Sequence, residues 1–309
     1  MEIKDIKTLP LNVCNQIAAG EVVERPASVV KELFENAVDA GASEITVMIS
    51  GGGLSEIVVM DNGCGMTREN LPKAFEPHAT SKLEKIKDLD TLTTLGFRGE
   101  AIASIASVSE TEITSKTAEM EIGYTVRCVG GVREEATEAP CLDGTCVTVR
   151  KLFYNTPARL KFMKTAKSEE TAVTDLIERL ILANSTVAVK YYCDEKLTLE
   201  SFGDGLRECV SCVYGMDVVD NCYEISYQKN GLLVEGLVGT TNLWRGTRSY
   251  QTIIVNGRWV EDKTISAAAT NAYAPYMMKR QYPFFVLRIE IDPDAIDVNV
   301  HPRKTEIRF

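Results

Sequence analysis

The sequence has few residues that build metal centres and no long apolar run. Its 309 residues include two histidines, and its nine cysteines are scattered apart from one Cys-x-x-Cys pair, Cys209 and Cys212. Because no second pair lies at zinc spacing, this pattern favours separate reduced thiols over a zinc or redox site. No stretch of eighteen apolar residues occurs, and the first residues lack the apolar core of a secretory signal, so we expect a cytoplasmic protein.

Two common nucleotide-binding motifs and the EF-hand calcium motif are also missing. There is no GxxxxGK[ST], which excludes a P-loop, and no GxGxxG between a strand and a helix, which disfavours a Rossmann site. The segment Asp61-Asn-Gly-Cys-Gly65 begins like an EF-hand loop, but its twelfth position is Pro72 rather than glutamate. A nucleotide, if one binds, must bind by another scheme.

What the sequence does contain is typical of a globular protein with two domains. Hydrophobic residues make up 45% and charged residues 25%, and the length suits two domains better than one. A break in the pattern at Gly203-Asp-Gly205 predicts domains at 1–205 and 206–309. The net charge of −10 does not indicate nucleic-acid binding, although basic residues outnumber acidic ones by three between positions 150 and 180.

The apolar patterns predict α+β architecture in both halves. A helix is expected between Pro26, which suits a first turn, and Gly41, which suits a C-terminal stop. The stretches Glu44–Ser50 and Glu56–Asp61 alternate like strands around a triple-glycine turn and predict a hairpin. Further strands are predicted at Glu112–Ser115, Tyr124–Val129, Thr145–Leu152, Leu232–Val238, Thr252–Val255, Phe284–Ile291 and Ile296–Val300, and further helices at Asn12–Ala19, Glu100–Ala106, Lys167–Asn184 and Lys263–Met278.

The helix that follows Pro26 carries the first functional clue. Its periodicity collects Glu32, Glu35, Asn36 and Asp39 on one face, opposite an apolar face. A solvated polar face would explain this pattern. A poor helix former such as Asn36 one turn from a carboxylate also suits a general base placed beside a hard cation.

Two glycine-rich turns are the second clue. The turn Asp61–Gly65 follows an apolar strand, so it can present a carboxylate where the glycines let a ligand approach the backbone. The run Thr94–Ala103 places two glycines at the entry of a helix, where backbone N–H groups can hold phosphate oxygens. The hydroxyls and ammonium group of His78–Lys82 lie upstream, and a simple turn remains the alternative for Asp61–Gly65.

Together these segments resemble the N-terminal ATPase region of the MutL family of DNA mismatch-repair proteins. The matching motifs are Ile17–Ala42, Asp61–Met66, His78–Lys82, Leu95–Ala101, Gly144-Thr145, Leu152–Arg159 and Asp297–Lys304. The resemblance implies a Bergerat-type (GHKL) ATPase domain, a mixed sheet layered by helices. It also implies a smaller α+β domain similar to the second domain of ribosomal protein S5.

The resemblance also implies roles for individual residues, with ATP and Mg²⁺ as cofactors. Glu32 matches the general base, Asn36 the magnesium ligand, and Lys304 a lysine that reaches the γ-phosphate. Asp61 matches the carboxylate that binds the adenine amino group, helped by Thr145. The other implied nucleotide contacts are Gly63 and Gly65 in the base pocket, Thr80, Ser81 and Lys82 in the ATP lid, and Gly96, Phe97, Arg98 and Gly99 at the phosphates.

The function implied is a slow Mg-ATPase that acts as a nucleotide-gated switch in mismatch repair. Its implied partners are the mismatch-recognition protein MutS, double- and single-stranded DNA and a second copy joined by ATP, with no membrane partner and a nucleoid-associated cytoplasmic location. Full-length members carry a linker and a C-terminal dimerisation domain, so we expect a longer parent chain, and we find no nuclease motif in this segment. Candidate DNA contacts are Arg159, Lys161, Lys164 and Lys167, for which a solvated charge cluster is the alternative.

The sequence disfavours two other classes of function. A binding module with a purely structural nucleotide would need no base, and Glu32 argues against it. Another GHKL protein, such as a topoisomerase subunit, an Hsp90-type chaperone or a histidine kinase, is disfavoured by the Gly96–Ala101 and Leu152–Arg159 runs. We expect His78 to support the lid, and we expect Phe153 and Tyr154 to be core or turn residues.

Overall fold

A computed structural model of the chain describes residues 20, 22–80, 99–278 and 280–292. The described residues divide into two units. The first takes in 20, 22–80, 99–173 and 192–196, and the second 174–191, 197–278 and 280–292. The predicted helix Asn12–Ala19 and the predicted strand Ile296–Val300 lie outside the described residues.

The larger sheet has nine strands. They are β1 (Glu44–Ser50), β2 (Glu56–Asp61), β3 (Glu110–Lys116), β4 (Gly123–Val129), β5 (Val132–Arg133), β6 (Thr137–Ala139), β7 (Gly144–Arg150), β8 (Ala188–Cys193) and β9 (Lys196–Ser201). Their order is β5-β4-β3-β7-β2-β1-β8-β9, with β6 beside β4. The strands from β1 through β2, β7 and β3 to β4 all pair antiparallel, so the predicted hairpin of β1 and β2 is confirmed.

One face of this sheet forms a continuous apolar core. Cross-strand partners on this face are aligned in rows, because directly opposed residues in antiparallel strands point to the same side. The rows combine Ile45, Val47 and Ile49 of β1, Ile57 and Val59 of β2, Val147 and Val149 of β7, and Thr111 and Ile113 of β3, all of them buried. The next row along the strands begins with Ile45 and continues with polar residues of β2, β7 and β3.

The helices are α1 (Pro26–Asp39), α2 (Ala101–Ser107), α3 (Pro157–Leu160), α4 (Ala166–Ala183), α5 (Leu206–Tyr214), α6 (Met216–Asp220) and α7 (Lys263–Ala272). Helix α1 begins at Pro26 and is followed by Gly41, whose φ of 76° is the left-handed stop that the sequence predicts. Helix α1 packs on β1 and β2, and its apolar side chains are buried there. The helix is therefore fixed on the sheet by its apolar face.

The second unit contains a mixed five-stranded sheet. Its strands are β10 (Cys222–Lys229), β11 (Leu232–Gly239), β13 (Gln251–Val255), β14 (Arg258–Val260) and β16 (Phe285–Glu290), and the short strands β12 (Trp244–Arg245) and β15 (Tyr282–Pro283) pair separately. The order is β10-β11-β16-β13-β14, with β13 and β16 parallel. Apolar residues of β13, β14 and β16 form its core. The predicted α+β class is confirmed.

One helix boundary predicted from the sequence is wrong. Helix α7 ends at Ala272, six residues before the predicted end at Met278. Pro275 explains the early stop, because proline lacks an amide hydrogen and restricts the residue before it. The hairpin of β8 and β9 and the helices α5 and α6 were not predicted.

The described cysteines are free thiols, and burial holds several of them protonated. Burial raises the pKa of Cys193, Cys209 and Cys222 to about 11. A thiol rather than a thiolate is a poor nucleophile and metal ligand, so burial lowers the reactivity of these three cysteines. In the part of the chain that the structure describes, no helix is long and apolar enough to cross a bilayer.

A buried ion pair ties the entry of α1 to the start of α4. The Nε and Nη2 atoms of Arg25 both donate to Oε2 of Glu169, at 2.9 and 2.7 Å. The other oxygen of Glu169 accepts the Lys164 backbone N–H at 3.1 Å, and Glu169 is 1% exposed. A buried carboxylate needs such a complete set of donors, because an unpaired buried charge is costly.

We predict that Arg25→Ala lowers the free energy of unfolding by about 2–3 kcal/mol, because it leaves the Glu169 carboxylate buried without its counter-ion. The control is Arg150→Ala, which removes an exposed pair with Glu56 and should cost less than about 1 kcal/mol. Urea unfolding followed by circular dichroism measures both. Adding Glu169→Gln to Arg25→Ala should recover part of the loss, and equal costs for the two arginines would contradict this account.

Candidate nucleotide site

Three polar side chains stand in a row at one end of the apolar face. The register places Thr145 of β7 directly opposite Asp61 of β2 on one side and Ser115 of β3 on the other. Opposed residues share a face, so Asp61, Thr145 and Ser115 continue the rows formed by the buried valines and isoleucines. This end of the sheet therefore offers an edge of hydrogen-bonding groups beside a hydrophobic surface.

The Asp61 carboxylate is partly buried and held by backbone N–H groups. Burial raises its pKa above the ordinary 3.8, while hydrogen bonds from the backbone of Gly63 and Thr145 act in the opposite direction. The N–H of Gly63 donates to Oδ1 at 2.9 Å. The carboxylate is thus fixed in position but less well solvated than in water, which favours a ligand that donates a hydrogen bond to it.

Glycines in the loop after β2 and at the start of β7 allow close backbone contacts. Gly65 has a φ of 67°, and a Cβ there would overlap the carbonyl of Lys116 at the end of β3. Gly144 has a φ of 110°, and its Cβ would overlap the Asp61 carbonyl. A Cβ at Gly63 would lie 2.8 Å from Cβ of Ala40. The loop therefore packs tightly against β3, β7 and the end of α1. A simple turn, which is the alternative interpretation, would not need such close contacts.

Helix α1 is joined to this loop at its C-terminal end. The N–H of Cys64 donates to the Ala40 carbonyl at 3.0 Å, and the N–H of Ala40 donates to the Asn36 carbonyl at 3.0 Å. Asn36 therefore lies one helical turn from the residue that holds the loop, and Glu32 one turn further, at about 5.4 Å of rise per turn. Both side chains are partly buried.

The polar face of α1 is only partly exposed to solvent. Glu35 is 8% exposed and pairs with Lys31, four residues earlier, at 3.1 Å. Glu32, Asn36 and Asp39 are partly buried. Within the described part of the chain, Glu32 has no side-chain hydrogen bond or ion pair. A general base needs a carboxylate that is not held in a salt bridge, so Glu32 stays the candidate that the sequence predicts.

The described parts of the two segments that the sequence predicts at the phosphates, around Ala79 and Gly99, are in contact. Gly99 has a φ of 61°, and a Cβ there would lie 2.5 Å from the carbonyl of Ala79, next to Thr80. Nδ1 of His78 lies 3.0 Å from Oε1 of Glu100, in agreement with a supporting role for this histidine. The predicted site residues Ser81, Lys82, Gly96, Phe97, Arg98 and Lys304 lie outside the described residues.

Ser115 is the site residue that the sequence analysis missed. Its side chain is fully buried and contacts the loop after β2 as well as β7. A serine in the strand Glu110–Lys116 carries no motif of its own. Only the pairing of β3 with β7, which places Ser115 opposite Thr145, shows that the serine belongs to this candidate site.

The four basic candidates for DNA contact divide into two groups. The guanidinium of Arg159 donates to the Val23 carbonyl at 3.3 Å and lies over the buried Phe153 ring, and Lys167 pairs with Glu170 at 2.6 Å. Lys161 and Lys164 are exposed. The first two have structural partners, so the second two are the better candidates for contact with a polyanion.

Comparison with known proteins places this geometry in a family. The family model described as "Histidine kinase-, DNA gyrase B-, and HSP90-like ATPase" matches residues 24–139, and that described as "DNA mismatch repair protein, C-terminal domain" matches residues 210–309. DNA mismatch repair protein MutL of Clostridium beijerinckii is 42% identical over 99% of this chain and 46% of its own length. The chain belongs to the MutL family.

Other relatives agree with this assignment. MutL of Citrifermentans bemidjiense is 45% identical over 98% of this chain and 47% of its own length, so the chain spans about half the length of these relatives. The structure titled "Aquifex aeolicus MutL ATPase domain complexed with ADP" has a TM-score of 0.67 at 26% identity, and covers 88% of this chain and 94% of its own. The N-terminal domain of a DNA repair protein has a TM-score of 0.80 at 26% identity, over 95% and 91% of the two chains. The predicted family and the GHKL-type fold are confirmed.

We predict that Asp61→Asn leaves the free energy of unfolding at pH 7 unchanged or raises it by up to about 1 kcal/mol. The pKa of Asp61 is raised in the folded state, so the ionised carboxylate lowers stability above both pKa values. That penalty disappears as the pH falls through the folded pKa towards 3.8, so the advantage of asparagine should shrink on acidification.

Urea unfolding at several pH values measures this difference. Asp143→Asn is the matched control, because Asp143 is half-exposed and pairs with Lys116. Its effect should stay within about 0.5 kcal/mol. A loss of more than 1 kcal/mol in Asp61→Asn at pH 7 would show that the carboxylate stabilises the fold instead.

Proposed function

We propose that this chain is a slow Mg-ATPase whose nucleotide binds between the loop after β2 and the polar face of α1. The observation that carries the proposal is that Asp61 and Thr145 lie side by side next to the glycine-rich loop after β2. That loop is hydrogen-bonded to α1, the helix that bears Glu32 and Asn36. Support also comes from the relative of known structure that was solved with ADP. The hydrogen-bond acceptors Asp61 and Thr145 beside an apolar face suit binding of the adenine ring. The Glu32 carboxylate on the adjacent helix suits hydrolysis of ATP, which structural binding alone would not need.

In this proposal the base is recognised at the row. The Asp61 carboxylate accepts a hydrogen bond from the adenine amino group, and Thr145 contributes a second polar contact. Gly63 and Gly65 allow the ring to approach the backbone, because neither has a side chain to exclude it. Partial burial of Asp61 makes an unsatisfied carboxylate costly, so a ligand that donates to it gains binding energy.

The residues present fit a magnesium ion. Mg²⁺ prefers oxygen ligands and usually keeps several waters, with phosphates supplying most of the rest. One amide oxygen, from Asn36, is enough to hold such an ion against the helix. When bound, the ion would neutralise charge on the phosphates during transfer.

Glu32 is the proposed general base. It lies on the same face as Asn36 one turn away, which separates it from the ion and leaves its carboxylate to orient and deprotonate the attacking water. Lys304 is proposed to offset charge at the γ-phosphate. Thr80, Ser81 and Lys82 in the lid and Gly96, Phe97, Arg98 and Gly99 at the phosphates remain predictions of the same site.

The biological role follows as a proposal from the family. ATP would order the lid and join two copies of the N-terminal region, and hydrolysis would release them, which couples mismatch recognition by MutS to later repair steps. We propose an ATPase domain at 1–205 and an S5-like domain at 206–309. DNA would be held through its phosphates with little base readout, and the protein would act at the nucleoid in the cytoplasm.

We predict that Glu32→Gln lowers steady-state ATP turnover at least about 100-fold, because the variant cannot accept the proton of the attacking water. The affinity for ATP should change less than about 3-fold, since glutamine keeps the shape of the side chain. Phosphate release and equilibrium binding of a fluorescent ATP analogue measure the two quantities. Glu44→Gln, an exposed glutamate at the start of β1, is the control and should hydrolyse normally. Hydrolysis at the wild-type rate in Glu32→Gln would contradict the assignment of Glu32 as the general base.

We predict that the double variant Lys161→Ala, Lys164→Ala weakens DNA binding and lowers the slope of log K against log salt by about two, one for each lost phosphate contact. The control pair is Lys73→Ala, Lys151→Ala, which removes two exposed lysines of the same unit. Binding is measured by fluorescence anisotropy between low and moderate salt. An equal change of slope in both double variants would mean that net charge, rather than this segment, governs the contact.

A further inference from the structure

Ser115 is a buried serine at the centre of three hydrogen bonds. Its Oγ donates to the Gly144 carbonyl at 2.8 Å and accepts the Met66 N–H at 2.9 Å. It also lies 3.0 Å from Oγ1 of Thr145, where either atom can be the donor. The residue is 0% exposed, so these three groups take the place of water around it.

The proton count decides the direction of the third bond. A serine hydroxyl has one proton to donate and two lone pairs to accept with. The Gly144 carbonyl can only accept, so the Ser115 proton points to it, and the Met66 N–H can only donate. Thr145 must therefore donate its own proton to Ser115, which satisfies all three positions of the serine oxygen.

This arrangement fixes the chemistry of the edge that faces a ligand. Once the Thr145 hydroxyl has given its proton to Ser115, its remaining lone pairs can only accept. The neighbouring Asp61 carboxylate, when ionised, also only accepts. Two adjacent side chains on one sheet face then present acceptors and no donor.

We propose that Ser115 is a positioning residue that holds the Thr145 hydroxyl as an acceptor and so makes the site select 6-amino over 6-oxo purine nucleotides. The inference rests on the proposed function, in which the base contacts Asp61 and Thr145. A 6-amino group has two hydrogens and can give one to Asp61 and one to Thr145. A 6-oxo purine offers this edge one donor, its N1–H, and its oxygen lone pairs then face the other acceptor, which is unfavourable where water is excluded.

The test compares ATP with inosine triphosphate, which has a 6-oxo group in place of the 6-amino group. Wild type should bind ATP more tightly. In Ser115→Ala the Thr145 hydroxyl is released and can turn to donate to the 6-oxo group. The ratio of the inosine triphosphate Kd to the ATP Kd should then fall about 10-fold, roughly the value of one hydrogen bond.

Two variants separate this role from loss of structure. Ser109→Ala is the matched control, because Ser109 is also fully buried and its Oγ bonds to the Ile105 carbonyl at 2.7 Å and to Thr111 at 2.8 Å. It should lower stability without changing the ratio. Ser115→Thr keeps a hydroxyl and should retain the wild-type ratio, and Ser115→Cys serves if alanine at 115 prevents folding, with a ratio below wild type expected.

The outcomes distinguish the two proposals. Failure of wild type to bind either nucleotide would overturn the proposed function. If wild type prefers ATP but folded Ser115→Ala or Ser115→Cys keeps the same ratio, the role of Ser115 is wrong and the proposed function stands. Equal wild-type affinities for the two nucleotides, or an equal fall of the ratio in Ser109→Ala, would also overturn the role of Ser115.

Discussion

The site depends on the antiparallel register that aligns β2, β7 and β3. That register sets Asp61, Thr145 and Ser115 side by side in one row, next to rows of mostly apolar buried residues. A slip of one residue would turn all side chains of a strand to the opposite face and bury the wrong set. The hydrophobic core is therefore what positions the polar row, because the same pairing that buries Ile57, Val59 and Val147 also fixes where the polar residues lie.

The backbone around this row is specialised for close contact at some cost in chain entropy. The left-handed Gly65 and Gly144 let the loop after β2 press against β3 and β7, and each glycine loses more conformational freedom on folding than another residue would. Burial of the Asp61 carboxylate, which raises its pKa, opposes stability in the same way. Unfavourable terms concentrated at one place in an otherwise regular sheet are typical of a binding site, where a ligand can relieve them.

Much of this fold could be predicted from the sequence because its local signals agree with its tertiary contacts. Pro26 and Gly41 bound α1, and alternation gives β1 and β2 with the bounds that the structure has. The position of Ser115 beside Thr145 could not be predicted, since it arises from pairing between strands about thirty residues apart, which no local pattern reports. Glu35 was expected on a polar face, yet it is buried with Lys31 beside it, because the helical period gives the direction of a side chain and not what covers it.

A short chain of backbone hydrogen bonds connects the loop after β2 to helix α1. Cys64, in the loop that would contact the base, donates to Ala40, and Ala40 donates to Asn36 one turn back in α1. A shift of the loop on binding would therefore be felt at the C-terminal end of the helix that carries Glu32, because α1 is held by its buried apolar face and by the Arg25–Glu169 pair at its other end. In the proposed ATPase, recognition of the base and catalysis would be joined through one rigid element, which is the arrangement that a nucleotide-gated switch requires.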